Sequence, residues 1–370
     1  MIENIKTGIM YRNPTPHLTS VHAYFPSVAV MPGGDLLATI VLGEAFEAVN
    51  LRTHITRSRD DGETWTPAVP LIPVDTDSRT ISNASRLSVL PGGETVILTA
   101  LFDRSDHPGC GLANPDTYGF VKTDFVTFRS SDSGYSWNGP YPVDHPLGET
   151  PLELCAPVTP VGGGRCLIPT STWNTWDGGG RYGFRMIALI SRDNGVTWPN
   201  YVDVMADSKG DCVFWESKIA TLPDGRLLAT AWVHDRVQRH DLLNHYALGD
   251  HNGHSWTESM STGLIGQTLT PCILEDGRIV SVYRRTDKPG LWANVSRIDG
   301  DRWLNDCALP LWGYDDAVVT AVKGNAMVNF TRLRFGAPSV ITLPGGDVYV
   351  AFWCYEDCVS VIRWFRFTVK

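Results

Sequence analysis

Residues 213–232 read VFWESKIATLPDGRLLATAW, in which two apolar runs flank a Pro-Asp-Gly turn. Alternating strands on either side of a glycine-containing turn are typical of a β-hairpin. Glu216 is the exception, because an ionisable side chain opens the first strand of an otherwise apolar hairpin. The stretch therefore predicts a local fold and also marks one position at which to look for chemistry.

The hairpin pattern returns along the chain. Its six copies begin at Phe25, Ser85, Cys155, Glu216, Leu269 and Gly336. A second motif, with Ser, Asp, Gly and Trp at fixed offsets, falls between successive hairpins. Its full copies are SRDDGETW from Ser58, SSDSGYSW from Ser130 and SRDNGVTW from Ser191, and its degenerate copies are GDHNGHSW from Gly249 and SRIDGDRW from Ser296. A short Asp accepts backbone N–H bonds and Gly supplies a positive φ, so each copy is predicted to be a strand-connecting turn.

One hairpin and one such turn supply about four strands, which is the content of a propeller blade. Six copies therefore predict an all-β chain folded as a six-bladed β-propeller. The sequence shows no linker or shift in composition, which predicts a single domain over residues 1–370. The last segment, CVSVIRWFRFTVK (358–370), is predicted to be a terminal strand that completes the circle.

Composition narrows the classes of partner. The formal net charge is −9 and the sequence has no basic runs, which argues against a nucleic-acid or anionic-membrane surface. The amino-terminal residues lack the apolar core of a signal peptide, so a cytoplasmic, non-membrane protein is expected. The eight cysteines lack paired zinc-site spacing, and most lie in predicted strands, where they are expected to be buried free thiols. Five histidines within 234–254 lack the pattern of a zinc hydrolase, and neither a metal nor another cofactor is expected.

The Ser-x-Asp-x-Gly-x-Thr-Trp turn resembles the Asp box of the sialidase (neuraminidase) superfamily, also called the BNR repeat. The resemblance covers nearly the whole chain, from the first hairpin to the last. It implies a six-bladed β-propeller whose boxes lie at the periphery, far from the central pocket. The turns therefore carry information about the fold and little about the chemistry.

The hairpins can be aligned on their turns. This alignment places Phe25, Ala84, Cys155, Glu216, Thr268 and Ala337 at one equivalent position. Because the first strand of each blade lines the channel of a propeller, these residues are expected to converge at one mouth. Glu216, flanked by Trp215, is the one carboxylate among them and the main catalytic candidate. The alternative is a structural ion pair with Arg86 or Arg334.

The resemblance to sialidases supports Glu216 as a catalytic residue. At other functional positions this sequence differs from the sialidase pattern. Sialidases carry a Glu that opens this fourth-blade hairpin and activates a Tyr nucleophile. Here Tyr24 and Trp232 stand where two carboxylate-binding arginines are expected, and Ala337 stands where the Tyr is expected. Arginines clamp a carboxylate by bidentate bonds, so their loss predicts a sugar other than sialic acid. Aromatic residues at these places suit stacking on a neutral sugar ring. Arg284 and Arg285 lie near the third Arg position and are candidates for binding an acidic or hydroxyl group.

A glycosidase needs a second carboxylate, and the sequence offers two places for it. Glu44 and Glu47 follow the first hairpin, where sialidases place their acid/base Asp, and Glu47 is the nearer match. Glu153 lies two residues before the equivalent position of the third hairpin. Its pairing with Glu216 would resemble the exo-arabinanases, which are also six-bladed. Both Glu47 and Glu153 stay open as the general acid/base.

The leading hypothesis is an exo-acting glycoside hydrolase that cleaves a non-sialic sugar, neutral or uronic, from an oligosaccharide or glycoside. A first alternative is a polysaccharide lyase that uses His22 and Tyr24 on a uronic acid. A second is a true sialidase with a divergent site. A third is a carbohydrate-binding propeller without catalysis.

Overall fold

The computed structural model describes residues 1–72, 80–315 and 333–370, and in these ranges the chain forms strands, turns and bends but no helix. The all-β class predicted from the hairpin repeats is therefore confirmed. No helix of the described residues is long and apolar enough to cross a membrane.

The first half of the chain contributes short and medium strands. They are β1 (Ile2–Tyr11), β2 (His22–Val30), β3 (Leu36–Gly43), β4 (Arg52–Ser58), β5 (Val69–Pro70), β6 (Ile81–Val89), β7 (Thr95–Asp103), β8 (Ala113–Asn114), β9 (Gly119–Phe120), β10 (Thr123–Ser130), β11 (Asn138–Pro142), β12 (Thr159–Gly162), β13 (Arg165–Ser171) and β14 (Asn174–Thr175).

The second half of the chain contains the longest strand, β21. The strands are β15 (Met186–Ser191), β16 (Asn200–Met205), β17 (Cys212–Thr221), β18 (Leu227–Asp235), β19 (His240–Asp241), β20 (Leu243–Gly249), β21 (Met260–Ile273), β22 (Ile279–Arg285), β23 (Leu291–Asp299), β24 (Arg302–Trp312), β25 (Phe335–Thr342), β26 (Val348–Glu356) and β27 (Val359–Val369).

The chain groups into two compact units. The terminal unit comprises residues 2–114, 120–143 and 335–370, and the middle unit comprises residues 115–119 and 144–334 with residue 1. The single domain over 1–370 stays a prediction.

The terminal unit contains three four-stranded antiparallel sheets, ordered β2-β3-β4-β5, β11-β10-β7-β6 and β1-β27-β26-β25. In the third sheet the first strand of the chain pairs with the last, with Ile2 opposite Val369. The final segment is thus a strand, as predicted, and it joins the two ends of the chain by backbone hydrogen bonds.

The middle unit contains one four-stranded sheet, β12-β13-β15-β16, and a longer path, β17-β18-β20-β21-β22-β23-β24. Strand β21 serves two arrays, because its first part pairs with β20 and its second part, from Gly266, pairs with β22. A Cβ atom at Gly266 would lie 2.4 Å from the carbonyl oxygen of Arg284, so the change of partner requires glycine.

Apolar side chains from neighbouring sheets form the cores. In the middle unit, Leu167 and Ile190 lie in one buried cluster with Phe214 and Leu227. In the terminal unit, Leu37 of β3 lies in a cluster with side chains of β6, β7 and β10. At these two places, neighbouring sheets of one unit therefore bury apolar side chains against each other, as the alternating hairpin sequences predict.

The position aligned from sequence is a β-bulge in four of the six hairpins. In each, two residues of the first strand oppose one residue of the second, as the breaks in register at 24/27, 215/218, 267/270 and 336/339 show. The first bulged residue has a positive φ: 49° at Phe25, 55° at Glu216, 58° at Thr268 and 47° at Ala337. Ala84 instead lies in uninterrupted pairing, and Cys155 precedes β12. The repeat alignment thus identified a real structural equivalence in four hairpins.

The three full Ser-x-Asp-x-Gly turns share one hydrogen-bond pattern. In the third copy Ser191 donates to Asp193 at 2.7 Å and accepts from the Gly195 N–H at 2.8 Å. The Asp193 carboxylate also accepts from the backbone N–H and the hydroxyl of Thr197, at 2.9 and 2.6 Å. Burial works to raise the pKa of Asp193, but these hydrogen bonds from Ser191 and Thr197 outweigh it and lower the pKa to about 2. The carboxylate therefore holds the turn closed.

The degenerate copies differ from each other. In the fourth turn Asp250 lies one residue earlier than the motif requires, yet its carboxylate accepts from the Ser255 hydroxyl at 2.7 Å. The fifth copy is a tight hairpin between β23 and β24, in which Asp299 pairs with Arg302 across the strands. Both connect strands, as predicted.

We expect Asp193→Ala to lower the free energy of unfolding by roughly 1–3 kcal/mol, because it removes hydrogen bonds to a charged group. The lowered folded-state pKa means that the stabilisation is present above the unfolded value, about 3.9, and is lost as pH falls toward 2. Urea denaturation at pH 7 and at pH 3 measures both effects.

Asp299→Ala is the matched control, since Asp299 lies in the copy that forms a hairpin and contacts Arg302 at 3.7 Å across an exposed pair. It should change stability by less than about 0.5 kcal/mol. Equal losses for the two variants would show that the Ser-x-Asp bonds do not stabilise the turn.

Candidate active site

Glu216 lies on the bulge of β17, between two buried residues, Trp215 and Ser217. Bulges bend a strand and re-aim side chains, and they are frequent beside active sites. The Glu216 side chain is 23% exposed, so part of it is in contact with solvent. Ser217 fixes the strand behind it through a 2.8 Å hydrogen bond to Ser171 of β13.

Glu153 lies in the segment before β12 and is held along β13. Its N–H donates to the Ser171 carbonyl at 3.0 Å, and its own carbonyl accepts from the Thr170 hydroxyl at 2.8 Å. Its Oε2 accepts from the backbone N–H of Glu216 at 3.4 Å. The structure thus brings Glu153 and Glu216 together within the middle unit.

The environment of Glu153 favours its neutral form. Burial, and to a smaller extent the charge of Glu216, raise its pKa to about 7, while the charge of Lys218 acts in the opposite direction. Near neutral pH Glu153 is therefore partly protonated and can donate a proton. A pair of carboxyl groups whose environments differ is the arrangement that separates an acid from a base.

Lys218 forms hydrogen bonds to both parts of this site. Its Nζ donates to the Cys155 carbonyl at 2.6 Å and to the Glu216 carbonyl at 3.1 Å, and it lies 3.4 Å from Glu216 Oε2. The side chain is 12% exposed. The cation paired with Glu216 is thus Lys218, in place of the Arg86 or Arg334 suggested by the sequence.

A second cation, Arg284, is buried near Glu216. Its Nε and Nη2 donate to Oε1 of Gln267 at 3.1 and 2.5 Å. Gln267 donates to Asp241 at 2.6 Å, and Asp241 lies 2.8 Å from Nδ1 of His234. Burial lowers the pKa of Arg284 to about 10, although the charges of Glu216 and Asp241 oppose the shift. A continuous polar chain therefore fixes the guanidinium.

Trp215 and Trp232 belong to a buried aromatic cluster. Trp215 stacks on Trp173 and His234, with ring centroids 5.1 and 5.6 Å apart, and lies 4.9 Å from Trp232. Trp215 is 1% exposed and Trp232 is 3% exposed. Neither presents a ring face to solvent, so the predicted stacking of Trp232 on a sugar is not available; packing around β17 and β18 covers the ring instead.

His22 and Tyr24 lie in the terminal unit and are tied to their own sheet neighbours. Tyr24 is fully buried and its hydroxyl lies 2.7 Å from that of Tyr355. Burial and this contact raise the pKa of Tyr24 far above its usual value. His22 accepts from the Ser360 N–H through Nδ1 at 3.0 Å. Tyr24 therefore has neither the exposure nor the acidity expected of a sugar platform or a lyase base.

The other acidic candidates also lie in the terminal unit. Glu47 has a φ of 59° and its Oε2 accepts from the Leu112 N–H at 3.1 Å. Burial raises the pKa of Glu47, which the Leu112 N–H and Arg104 counteract. Glu44 is exposed, and its N–H donates to Asn50. Glu47 is thus engaged by the 104–112 loop of its own unit.

Three arginines that the sequence suggested as site residues have contacts other than the carboxylate pair. Arg86 is partly buried, and its Nη1 donates to the Ser85 carbonyl at 3.1 Å. Arg285 forms hydrogen bonds to Asp287 and lies 4.7 Å over the ring of Trp292. Arg334 is exposed. The structure therefore leaves Arg284 as the arginine associated with the carboxylate pair.

A cavity of about 500 Å³ lies in the middle unit beside the segment that leads to Glu153. Two segments line it: Pro146–Pro151, and Trp173 with the loop residues Thr175 and 179–182. Among the described residues, no group of three or more His, Cys, Asp or Glu is placed to hold a metal ion.

Lys218, Gln267 and Asp241 were not predicted from sequence. Lys218 carried a signal in the repeats, because the other bulged hairpins have Ser27, Thr270 or Ser339 two residues after the first bulged residue. Gln267 and Asp241 carried none, since their contact depends on strand pairing and side-chain packing that the repeats do not encode.

The sequence matches no known family model and no curated protein. Solved structures do resemble the fold. A protein of unknown function from Dyadobacter fermentans has 18% identity and a TM-score of 0.73, over 100% of this chain and 99% of that one. A sialidase from Streptococcus pneumoniae has 13% identity and a TM-score of 0.66, over 97% of this chain and 70% of that one.

An α-L-arabinanase from Penicillium chrysogenum, solved with arabinobiose, has 16% identity and a TM-score of 0.62, over 93% of each chain. The chain has a sialidase-like fold. The superfamily resemblance stated from the Ser-x-Asp turns is thereby confirmed at the level of the fold. The sialidase-like fold carries no assignment of substrate, which has to come from the site itself.

We expect Glu216→Gln to lower the pKa of Glu153 below about 7, because the substitution removes the neighbouring negative charge. Titration of ¹³C-labelled glutamate carboxyl groups by NMR measures this without any substrate. Glu258→Gln, an exposed glutamate of the same unit, should leave the Glu153 titration unchanged. An unchanged Glu153 pKa in Glu216→Gln would show that the two carboxyl groups do not interact.

Proposed function

We propose that this chain is an exo-acting glycoside hydrolase for a non-sialic sugar, with Glu153 as general acid and Glu216 as the ionised carboxylate of the pair. The observation that supports this most is the Glu153–Glu216 pair itself. One carboxyl group has its pKa raised to about 7, and the other is ion-paired with Lys218 and partly exposed. Glycoside hydrolysis by paired carboxyl groups needs both states at once.

In the proposed reaction Glu153 donates its proton to the glycosidic oxygen as the bond from that oxygen to the sugar breaks. Glu216 stabilises the positive charge that develops on the sugar, or attacks it. A water molecule then supplies the hydroxyl group of the released sugar, and its proton returns to the enzyme. General acid catalysis of this kind contributes about 10²–10⁴ in rate.

The residues at the places of the sialidase arginines argue against sialic acid as the substrate. Tyr24 and Trp232 occupy the places of two carboxylate-binding arginines and are buried. Arg284 is engaged by Gln267 within a buried network. A substrate carboxylate would therefore lack the bidentate clamp that two exposed arginines provide. Since an arabinanase shares the fold, α-L-arabinosides come first among the candidate substrates.

We further propose that the six four-stranded arrays are the blades of a β-propeller. Three arrays lie in the terminal unit. Three lie in the middle unit, two of them sharing β21. The six hairpin repeats and the likeness to sialidase and arabinanase structures support this count.

The test is a panel of aryl glycosides that includes α-L-arabinofuranosides, other neutral sugars, uronides and a sialoside. The wild-type protein should release the aryl group from a non-sialic member, and the rate should fall as pH rises through about 7, when Glu153 loses its proton. Glu216→Gln should abolish release. Glu153→Gln should lose roughly 10²–10⁴ in rate on a poor leaving group and much less on a dinitrophenyl glycoside, which needs no acid.

Glu258→Gln is the control and should match the wild type. Release from the sialoside alone would establish a divergent sialidase, and an unsaturated product absorbing in the ultraviolet would establish a lyase. Sugar binding without turnover, unaltered by Glu216→Gln, would establish a binding protein. Each of these three results would overturn the proposed hydrolysis.

A further inference from the structure

The bulged hairpins within this chain provide an internal comparison for the proposed active site. Two residues after the first bulged residue, three of them carry a hydroxyl side chain: Ser27, Thr270 and Ser339. The fourth carries Lys218, in the same hairpin that carries Glu216. Two departures from the repeat therefore occur together.

In the terminal unit the hydroxyl at this position has a structural task. Ser339 accepts from the N–H of Val28 at 3.0 Å, and Ser27 accepts from the N–H of Leu87 at 2.9 Å. Each bond joins one sheet to the backbone of the next, three residues after that sheet's equivalent position. The hydroxyl thus satisfies an amide of a neighbouring strand.

The fourth hairpin cannot use this arrangement. The residue three after Thr268 in the following hairpin is Pro271, which has no N–H to donate. A serine at position 218 would find no donor at the corresponding place. Position 218 therefore cannot make the hydroxyl–amide bond of Ser27 and Ser339, and other contacts must account for a long cation whose side chain is 12% exposed.

The contacts of Lys218 show that role. An ammonium group has three donors, and the Lys218 Nζ has three oxygen partners: the carbonyls of Cys155 and Glu216 and the Oε2 of Glu216. Cys155 is linked to Glu153 through a 3.0 Å bond from its N–H to the Glu153 carbonyl. One side chain thus joins the segment that carries Glu153 to the bulge that carries Glu216.

We propose that Lys218 is the positioning residue of the carboxylate pair, holding the 153–155 segment and the Glu216 bulge at a constant separation. This inference rests on the proposed function for its catalytic meaning, but not for its geometry. Lys218 acts through Glu153 and Glu216, and it is not itself a catalytic residue. Small displacements of positioned groups are costly, since an error of about 1 Å can reduce a rate by about 100-fold.

The ionisable groups around Lys218 determine the direction in which its removal shifts the pH dependence of activity. Glu153 and Cys155 face it from the segment before β12, Glu216 faces it from β17, and Arg284 of β22 interacts with Glu216. The Lys218 charge lowers the pKa of Glu153, so its removal raises that pKa. The alkaline limb of activity should then move to higher pH.

The experiment compares Lys218→Ser, which introduces the residue of the equivalent hairpins, with Lys218→Arg, which keeps the charge. In Lys218→Ser we expect kcat to fall about 100-fold with a smaller change in KM, and the alkaline limb to move upward. In Lys218→Arg the limb should stay near its wild-type position. Arg226→Ser, at the turn of the same hairpin and paired with Asp224 and Asp301, is the matched control and should keep the wild-type kcat and pH profile.

A readout without substrate separates this inference from the proposed function. NMR titration should show a higher Glu153 pKa in Lys218→Ser than in the wild type, whether or not any glycoside is hydrolysed. If no aryl glycoside is hydrolysed but the Glu153 pKa rises in Lys218→Ser, the hydrolase proposal is overturned and the positioning role of Lys218 remains. If Lys218→Ser has a lower melting temperature but keeps the wild-type Glu153 pKa and the wild-type kcat, where a kcat can be measured, then Lys218 is merely structural.

Discussion

The β-bulge at the start of the hairpin is the constraint on which the candidate site depends. A non-glycine residue with a positive φ is unfavourable by about 1–2 kcal/mol, and it persists where the surrounding structure over-determines it. Here regular pairing resumes on both sides of the bulge, with Trp215 opposite Trp232 and Lys218 opposite Thr230. The sheet therefore holds Glu216 in a conformation that the isolated chain would avoid, and the same device holds Phe25, Thr268 and Ala337.

The bulge explains the placement of Glu216, and electrostatics explains how two carboxyl groups can lie side by side. Two like charges in a partly desolvated site repel, so one group takes up a proton more readily. Burial contributes most to the raised pKa of Glu153, the charge of Glu216 adds to it, and the Lys218 ammonium limits it. Arg284 adds a second positive charge, itself oriented by Gln267 and Asp241. The site thus combines a carboxyl group whose pKa is raised with a second one that is paired with Lys218, so Glu216 carries no unpaired buried charge.

The sequence predicted the features that short-range rules govern. Turn residues, strand alternation and the Ser-x-Asp pattern are local, so the hairpins and the connecting turns were predicted correctly, and aligning them located four bulges. Burial at Tyr24 and Trp232 was not predictable in the same way, because it depends on which side chains from other strands cover a ring. The choice between Glu47 and Glu153 also lay beyond local rules, since it depends on the neighbours of each carboxylate: the Leu112 N–H for Glu47 and the Glu216 N–H for Glu153.

Repetition within one chain separates what a fold needs from what a site needs. The bulge occurs with Phe, Thr and Ala as well as Glu, so the backbone conformation does not account for a carboxylate at position 216. The hydroxyl two residues later joins sheets at Ser27 and Ser339, whereas Lys218 joins the Cys155 carbonyl to the Glu216 bulge. Pro271 removes the donor that a hydroxyl at 218 would have used. Glu216, Lys218 and Pro271 thus depart from the repeat in two consecutive hairpins, and a shared requirement for the arrangement of Glu153 and Glu216 is the simplest explanation.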